Sequence, residues 1–214
     1  MIDVDDLLPS PSGPERRRQG SSRREGFQSA LSTIGILLTA PLIAVFLTIF
    51  VFQSYQVDGA SMETTLSHND RLIVWKLPKT WSKITGHDYI PKRGDIIVFV
   101  EPTLSQFGQD PGKQLIKRVV GLPGEKVTVR DGALTVYNDE YPDGFEPDKT
   151  LPYGSAIGNT SMDNTWIIGP HELFVAGDNR GNSLDSRSFG PIKARNVVGK
   201  LAVRVLPLSE AERF

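Results

Sequence analysis

From Ala30 to Phe52 the chain runs for 23 residues without a charged side chain. At about 1.5 Å per residue, a helix of that length reaches roughly 34 Å, enough to cross a hydrocarbon core of roughly 30 Å. The run predicts a single transmembrane anchor, in which Pro41 costs only a kink. Arg16, Arg17, Arg18, Arg23 and Arg24 lie just before it, whereas Asp58 is the first charge after it. Basic residues near a span stay on the cytoplasmic side, so residues 1–29 are expected in the cytoplasm and everything after the anchor outside, in the plasma membrane of a cell. The apolar segment of a cleavable signal peptide has roughly 7 to 15 residues, so this longer run reads as an uncleaved anchor.

The anchor divides the chain into three. Residues 1–29 are rich in Pro, Ser, Gly and Arg and cannot offset the entropy of ordering, which predicts a disordered tail. Residues 53–214 are enough for one well-cored extracytoplasmic domain. Lys and Arg total 24 against 25 Asp and Glu, a balance without the electrostatic footprint of a nucleic-acid partner. The absence of cysteine excludes disulfides and thiol catalysis. His68, His87 and His171 stand alone, without the spacing of a metal site, and nothing in the sequence implies a cofactor.

Past the anchor, short runs rich in Val, Ile and Phe recur between Gly, Pro and Asp. Strands are predicted at residues 71–75, 95–100, 114–120, 126–130, 133–137, 172–176 and 197–206. Asp131-Gly132 between two alternating runs predicts a hairpin with a type I′ turn. No segment here shows helical periodicity, so the domain is expected to be mostly β, a closed or half-closed antiparallel sheet. Residues 101–113 and 138–164 are Pro-, Gly- and Asp-rich and read as loops, the second as an inserted excursion.

Ser61, nine residues past the apolar run, is either a turn hydroxyl or a nucleophile. A serine nucleophile needs a base, and none of the three histidines has a recognisable apolar setting. Lys117 lies in the strand-like Q-L-I-K-R-V-V, where a period of two sets it between Leu115 and Val119. A lysine desolvated there could lose its proton near neutral pH and take that of Ser61. An edge-strand lysine that guards against aggregation fits the same position. Arg118 stays protonated and is expected to be structural, on the outer face of the sheet or paired to a carboxylate.

Four segments together resemble, in order, the conserved boxes of bacterial type I signal peptidases: S-M-E-T-T-L from Ser61, R-G-D-I-I-V-F from Arg93, K-R-V-V-G-L-P-G-E from Lys117 and G-D-N-R-G-N-S-L-D-S-R from Gly177. The resemblance implies a signal-peptidase-like β domain and a serine endopeptidase with Ser61 as nucleophile and Lys117 as base. It implies that Ser183 hydrogen-bonds and orients Lys117, and that Asp178, Arg180, Asp185 and Arg187 hold the polar scaffold around it. It places shallow pockets for small substrate residues on Tyr55, Val57, Met62, Leu66, Leu72, Val98, Leu115 and Ile116. The implied partners are preproteins bearing signal peptides, membrane lipid and the secretion machinery. Two positions depart from the family pattern. Gly59 stands where some members supply an oxyanion-hole hydroxyl, leaving the Ser61 N–H with a water or the Gly59 backbone to serve, and Thr64 stands where the family has proline. An anchored β domain that binds a peptide or wall component without cleaving it is the alternative.

Overall fold

The computed structural model describes residues 22–86, 88–152 and 160–214; the expected tail through residue 21 and His87 lie outside them. Helix α1 (Ser22–Phe46) begins eight residues before the apolar run, so the last part of the expected tail is helical. A wider helical turn, Leu47–Val51, follows, and Phe52 already belongs to β1 (Phe52–Gln56), so the helix stops short of the run's end. Side chains of α1 such as Ile36, Leu37, Leu38 and Leu42 are exposed. Among the described residues no helix is long and apolar enough to cross a membrane. Among the described residues, those through Val45 and those from Phe46 onward form separate compact units.

The second unit is mostly β. β2 (Arg71–Trp75), β3 (Ile96–Val100), β4 (Gln114–Gly121), β5 (Lys126–Arg130), β6 (Ala133–Tyr137), β8 (Glu172–Ala176) and β10 (Val197–Leu206) fall on the predicted runs. β7 (Asn164–Ile167), β9 (Ile192–Lys193) and β11 (Glu212–Arg213) were not predicted, nor was β1. One antiparallel sheet has the order β1-β2-β10-β3-β4-β8-β9, with β11 on β10. It curls without closing, since β1 and β9 remain edges. A second sheet, β6-β5-β7, carries the predicted hairpin, in which Asp131 and Gly132 both take positive φ as a type I′ turn requires.

Helix α2 (Leu77–Thr85) contradicts the expectation that no helix follows the anchor. Leu77, Trp81 and Ile84 have helical spacing, but Pro78 and Gly86 close around only nine residues, too few for the period to stand out. The excursion forms a helical turn, α3 (Pro147–Thr150), and Phe145 pairs with Val136 at its start. The core nearest Ser61 consists of Val57, Met62, Leu66, Leu72, Ile96 and Leu201, all buried.

Candidate active site

Ser61 sits in the loop between β1 and β2, and the loop is closed at its base. Val57 N–H donates to Asp70 O and Asn69 N–H to Val57 O, each at 2.9 Å. Met62 and Leu66 enter the core, and Arg204 from β10 donates to Thr65 O at 2.9 Å from behind. Apolar burial on one side and a guanidinium on the other leave this loop little freedom. Gly59 has φ 102°, a backbone conformation that strains any side chain, which explains why a hydroxyl-bearing residue is absent there.

β4 brings Lys117 to the same place. Its Nζ donates to Ser61 Oγ at 2.8 Å and to Ile116 O at 2.9 Å. With 2% of its surface exposed, the side chain is almost wholly desolvated. Burial lowers its pKa to about 8 against the opposing pull of the Asp185 and Asp178 carboxylates, with Lys113 adding slightly to the lowering. A cleft of about 320 Å³ opens beside the pair, lined by Ser61, Lys117, Tyr55, Val57, Leu72, Val98, Leu115 and Ile116 among others. Met62 and Leu66 are not among its lining residues and are buried in the core that holds the loop.

The segment after β8 forms the polar scaffold. Arg118 donates from Nε to Asp178 Oδ1 at 2.8 Å and from Nη2 to Oδ2 at 2.5 Å, a buried two-point pair. Thr65 Oγ1 also donates to Asp178 Oδ2, at 2.5 Å, tying the serine loop to the scaffold. Burial alone would push the Asp185 carboxyl up, but hydrogen bonds from Arg187 and from Gly177 N–H hold it below its usual value. Arg187 in turn donates to Arg180 O at 2.7 Å. Arg180 donates to Gly177 O and reaches across to Asp148 with both terminal nitrogens, and to Thr160 Oγ1 at 2.9 Å. The excursion is therefore pinned to the scaffold through a carboxylate that the sequence did not single out.

Two expectations fail in detail. Ser183 makes no hydrogen bond to Lys117: its buried Oγ lies near the Asp185 carboxyl and helps to hold that pKa down, and the Lys117 ammonium is directed to Ser61 and Ile116 O. Ser183 Oγ instead lies against Gly177, in the space that a Cβ there would fill. The Gly59 N–H is engaged by His68 Nδ1 at 3.2 Å and does not point to a free donor site. The Ser61 N–H donates to no described residue.

Asn179 was also missed. Its Nδ2 donates to Ala60 O and its N–H to Ser61 O, both at 3.1 Å, so one residue fixes the two carbonyls that flank the nucleophile's Cα. Its place inside G-D-N-R, beside two charged residues, was the available signal.

The pattern described as "Signal peptidase, peptidase S26" matches residues 30–206. A probable signal peptidase I-1 of Synechocystis is 34% identical over 89% of this chain and 90% of its own length. A signal peptidase I of Leptolyngbya laminosa is 31% identical over 94% of this chain and 91% of its own. A solved signal peptidase I of Enterococcus faecalis, 31% identical, has a TM-score of 0.40 and is covered over 97% of its length by 52% of this chain.

Proposed function

Because the chain belongs to the type I signal peptidases, we propose that it removes signal peptides from exported preproteins through a Ser61–Lys117 pair. The observation that carries this reading is the 2.8 Å contact between a buried lysine and a serine in an apolar-walled cleft. In its neutral form Lys117 takes the Ser61 proton as Oγ attacks the scissile carbonyl carbon. The developing oxyanion is met by the Ser61 N–H. The Lys117 ammonium then gives its proton to the leaving amine, which departs, and the now neutral Lys117 activates the water that hydrolyses the acyl-enzyme. Substrate enters as an extended strand, its small side chains against Tyr55, Val57, Leu72, Val98, Leu115 and Ile116. Ser183 bounds the site by packing, and Asp178, Arg180, Asp185 and Arg187 keep its geometry.

The run 30–52 anchors the protein with its N-terminus in the cytoplasm and the catalytic domain outside. Its lack of charge, the arginines before it and the exposed apolar side chains of α1 support this placement. Ser61 lies nine residues past Phe52, so at roughly 3.3 to 3.6 Å per residue it stays within about 30 Å of the bilayer edge, where preproteins are cut. Incubating the detergent-solubilised full chain with a test preprotein, beside Ser61→Ala, decides the reading. Cleavage at the signal-peptide junction by the wild type alone supports it, and equal cleavage by Ser61→Ala, or none by either, overturns it.

A further inference from the structure

The cleft beside Ser61 has polar lining that pockets for small side chains do not account for. Gln109, Lys113 and Gln114 belong to its wall, and all three are exposed. The segment that delivers them is held along its length. Its short helical turn, Pro102–Phe107, is sunk into the protein by Leu104, which is fully buried. Gln109 N–H donates back to Leu104 O at 3.1 Å. The turn at Asp110-Pro111-Gly112 is closed by Gly112 N–H on Asp110 Oδ1 at 2.7 Å and by Lys113 N–H on Asp110 O at 3.0 Å. Lys113 forms no ion pair among the described residues. Its charge nevertheless reaches Lys117, whose pKa it helps to lower. Among the described residues Asp58 is the one carboxylate in the lining, and it lies 3.7 Å from His68 Nδ1.

The register of β4 sets which part of a substrate passes this group. β3 pairs with β4 from Gln114 to Arg118, but β8 pairs with it only from Arg118 onward, so among the described strands Gln114, Leu115 and Ile116 have one unpaired edge. An extended peptide can add to that edge. The small residues of a signal-peptide junction precede the cut. With the cut at Ser61 and Lys117, the chain on that side runs back past Leu115 toward Gln114 and Lys113. Lys113 is four positions before Lys117, about 13 Å along a strand at roughly 3.3 Å per residue. An extended substrate covers that distance with its fourth or fifth residue before the cut. We propose that Lys113, flanked by Gln109 and Gln114, reads the signal peptide there, favouring an acidic side chain and disfavouring a basic one. The inference rests on the cleavage reading above and adds a charge preference to it. The glutamine amides can donate to a carboxylate that the Lys113 ammonium attracts, whereas a substrate lysine would meet a like charge inside the cleft.

The test uses the detergent-solubilised full chain, as wild type, Lys113→Gln and Lys113→Glu. Each is given a test preprotein carrying Glu, Gln or Lys at the fourth or the fifth residue before the cut. The quantity read is the ratio of kcat/KM for the Glu and Lys preproteins within one enzyme, so any effect of the substitution on Lys117 or on the folded fraction cancels. For the wild type at low ionic strength the ratio should be about three to ten at one of the two positions, carried by KM rather than kcat, and should shrink as salt is added. Lys113→Gln should bring it near one, and Lys113→Glu should invert it. A wild-type ratio near one at both positions overturns the inference and leaves the protease reading standing. A wild-type preference that persists unchanged in both variants overturns the assignment to Lys113. Failure of the wild type to cut even the Gln preprotein overturns the protease reading, and this inference with it.

Discussion

Lys117 Nζ lies 2.8 Å from Ser61 Oγ, although the two residues are 56 positions apart. Each is held by a different device. Lys117 is carried by β4, inside the large sheet with β3 on one side and β8 on the other. Ser61 rides on a loop whose Met62 and Leu66 are locked in the core and whose backbone carbonyls are gripped by Asn179. Desolvation of the lysine outweighs the attraction of the nearby carboxylates, so its pKa falls rather than rises.

That balance separates activity from stability. Lys117→Met is expected to abolish cleavage, since removing one member of a nucleophile–base unit removes nearly all of the activation. It should leave the melting temperature at pH 7 unchanged or higher, because an ammonium destabilised by burial is replaced by an apolar chain of similar length. In the wild type the unfolded chain binds a proton between about 8 and 10.5 that the folded chain does not, so this group makes stability rise with pH across that window. A thermal scan beside a cleavage assay checks both, and a large loss of stability in Lys117→Met would show that the lysine is structural.

Asn179→Ala removes the side-chain bond to Ala60 O while leaving Ser61 and Lys117 in place. A lost neutral hydrogen bond costs about 1 kcal/mol of stability, and a small displacement of a reacting group can cost up to about a hundredfold in rate. The expected result is a kcat lowered about tenfold or more with a melting temperature only slightly reduced. An unchanged kcat would show that the nucleophile loop holds its shape without Asn179.

Gly177→Ala puts a methyl group into Ser183 Oγ and the Ser61 carbonyl oxygen. Ser61 O belongs to backbone that cannot swing away, so the loop itself must shift. Cleavage should fall by orders of magnitude, beyond what the change in folded fraction explains, as measured by kcat per folded molecule. Near-normal kcat would mean that the approach of the two segments is looser than the structure has it.

The Arg118–Asp178 pair is nearly sealed from water, with side-chain exposures of 6% and 1%. Removing Asp178 leaves the buried Arg118 guanidinium without its carboxylate partner, which costs about 3 to 5 kcal/mol. Asp178→Ala is therefore expected to lower the denaturant midpoint sharply, whereas Asp58→Ala, on the exposed part of the loop, should not. Equal midpoints would contradict the assignment of Asp178 to the scaffold.

Seven strands could be read directly from the sequence because their alternating or continuous apolar runs are long enough to carry a period. β1, β7, β9 and β11 were not, since they are short, largely polar and ordered by the partner they pair with. The helix α2 was hidden by its length. Among site residues, Ser61 and Lys117 stood out through their segments, but contacts that join distant segments left no local trace. Asp148 meets Arg180 across 32 positions, and Thr65, not the neighbouring Thr64 that departs from the family pattern, is the threonine that binds Asp178. Met62 and Leu66 show the limit from the other side: pocket and core draw on the same apolar residue types, and only the fold decides between them.

The most direct test of the account is the pH dependence of kcat/KM for the full chain, which reports ionisation in the free enzyme. Lys117 acts as a base only when neutral and its pKa is lowered to about 8, so kcat/KM should climb about tenfold per unit below that value and level off above it. A kcat/KM that is already flat from pH 5 to 7, or that falls over that range, would place the catalytic base on a carboxylate and contradict the Ser61–Lys117 assignment.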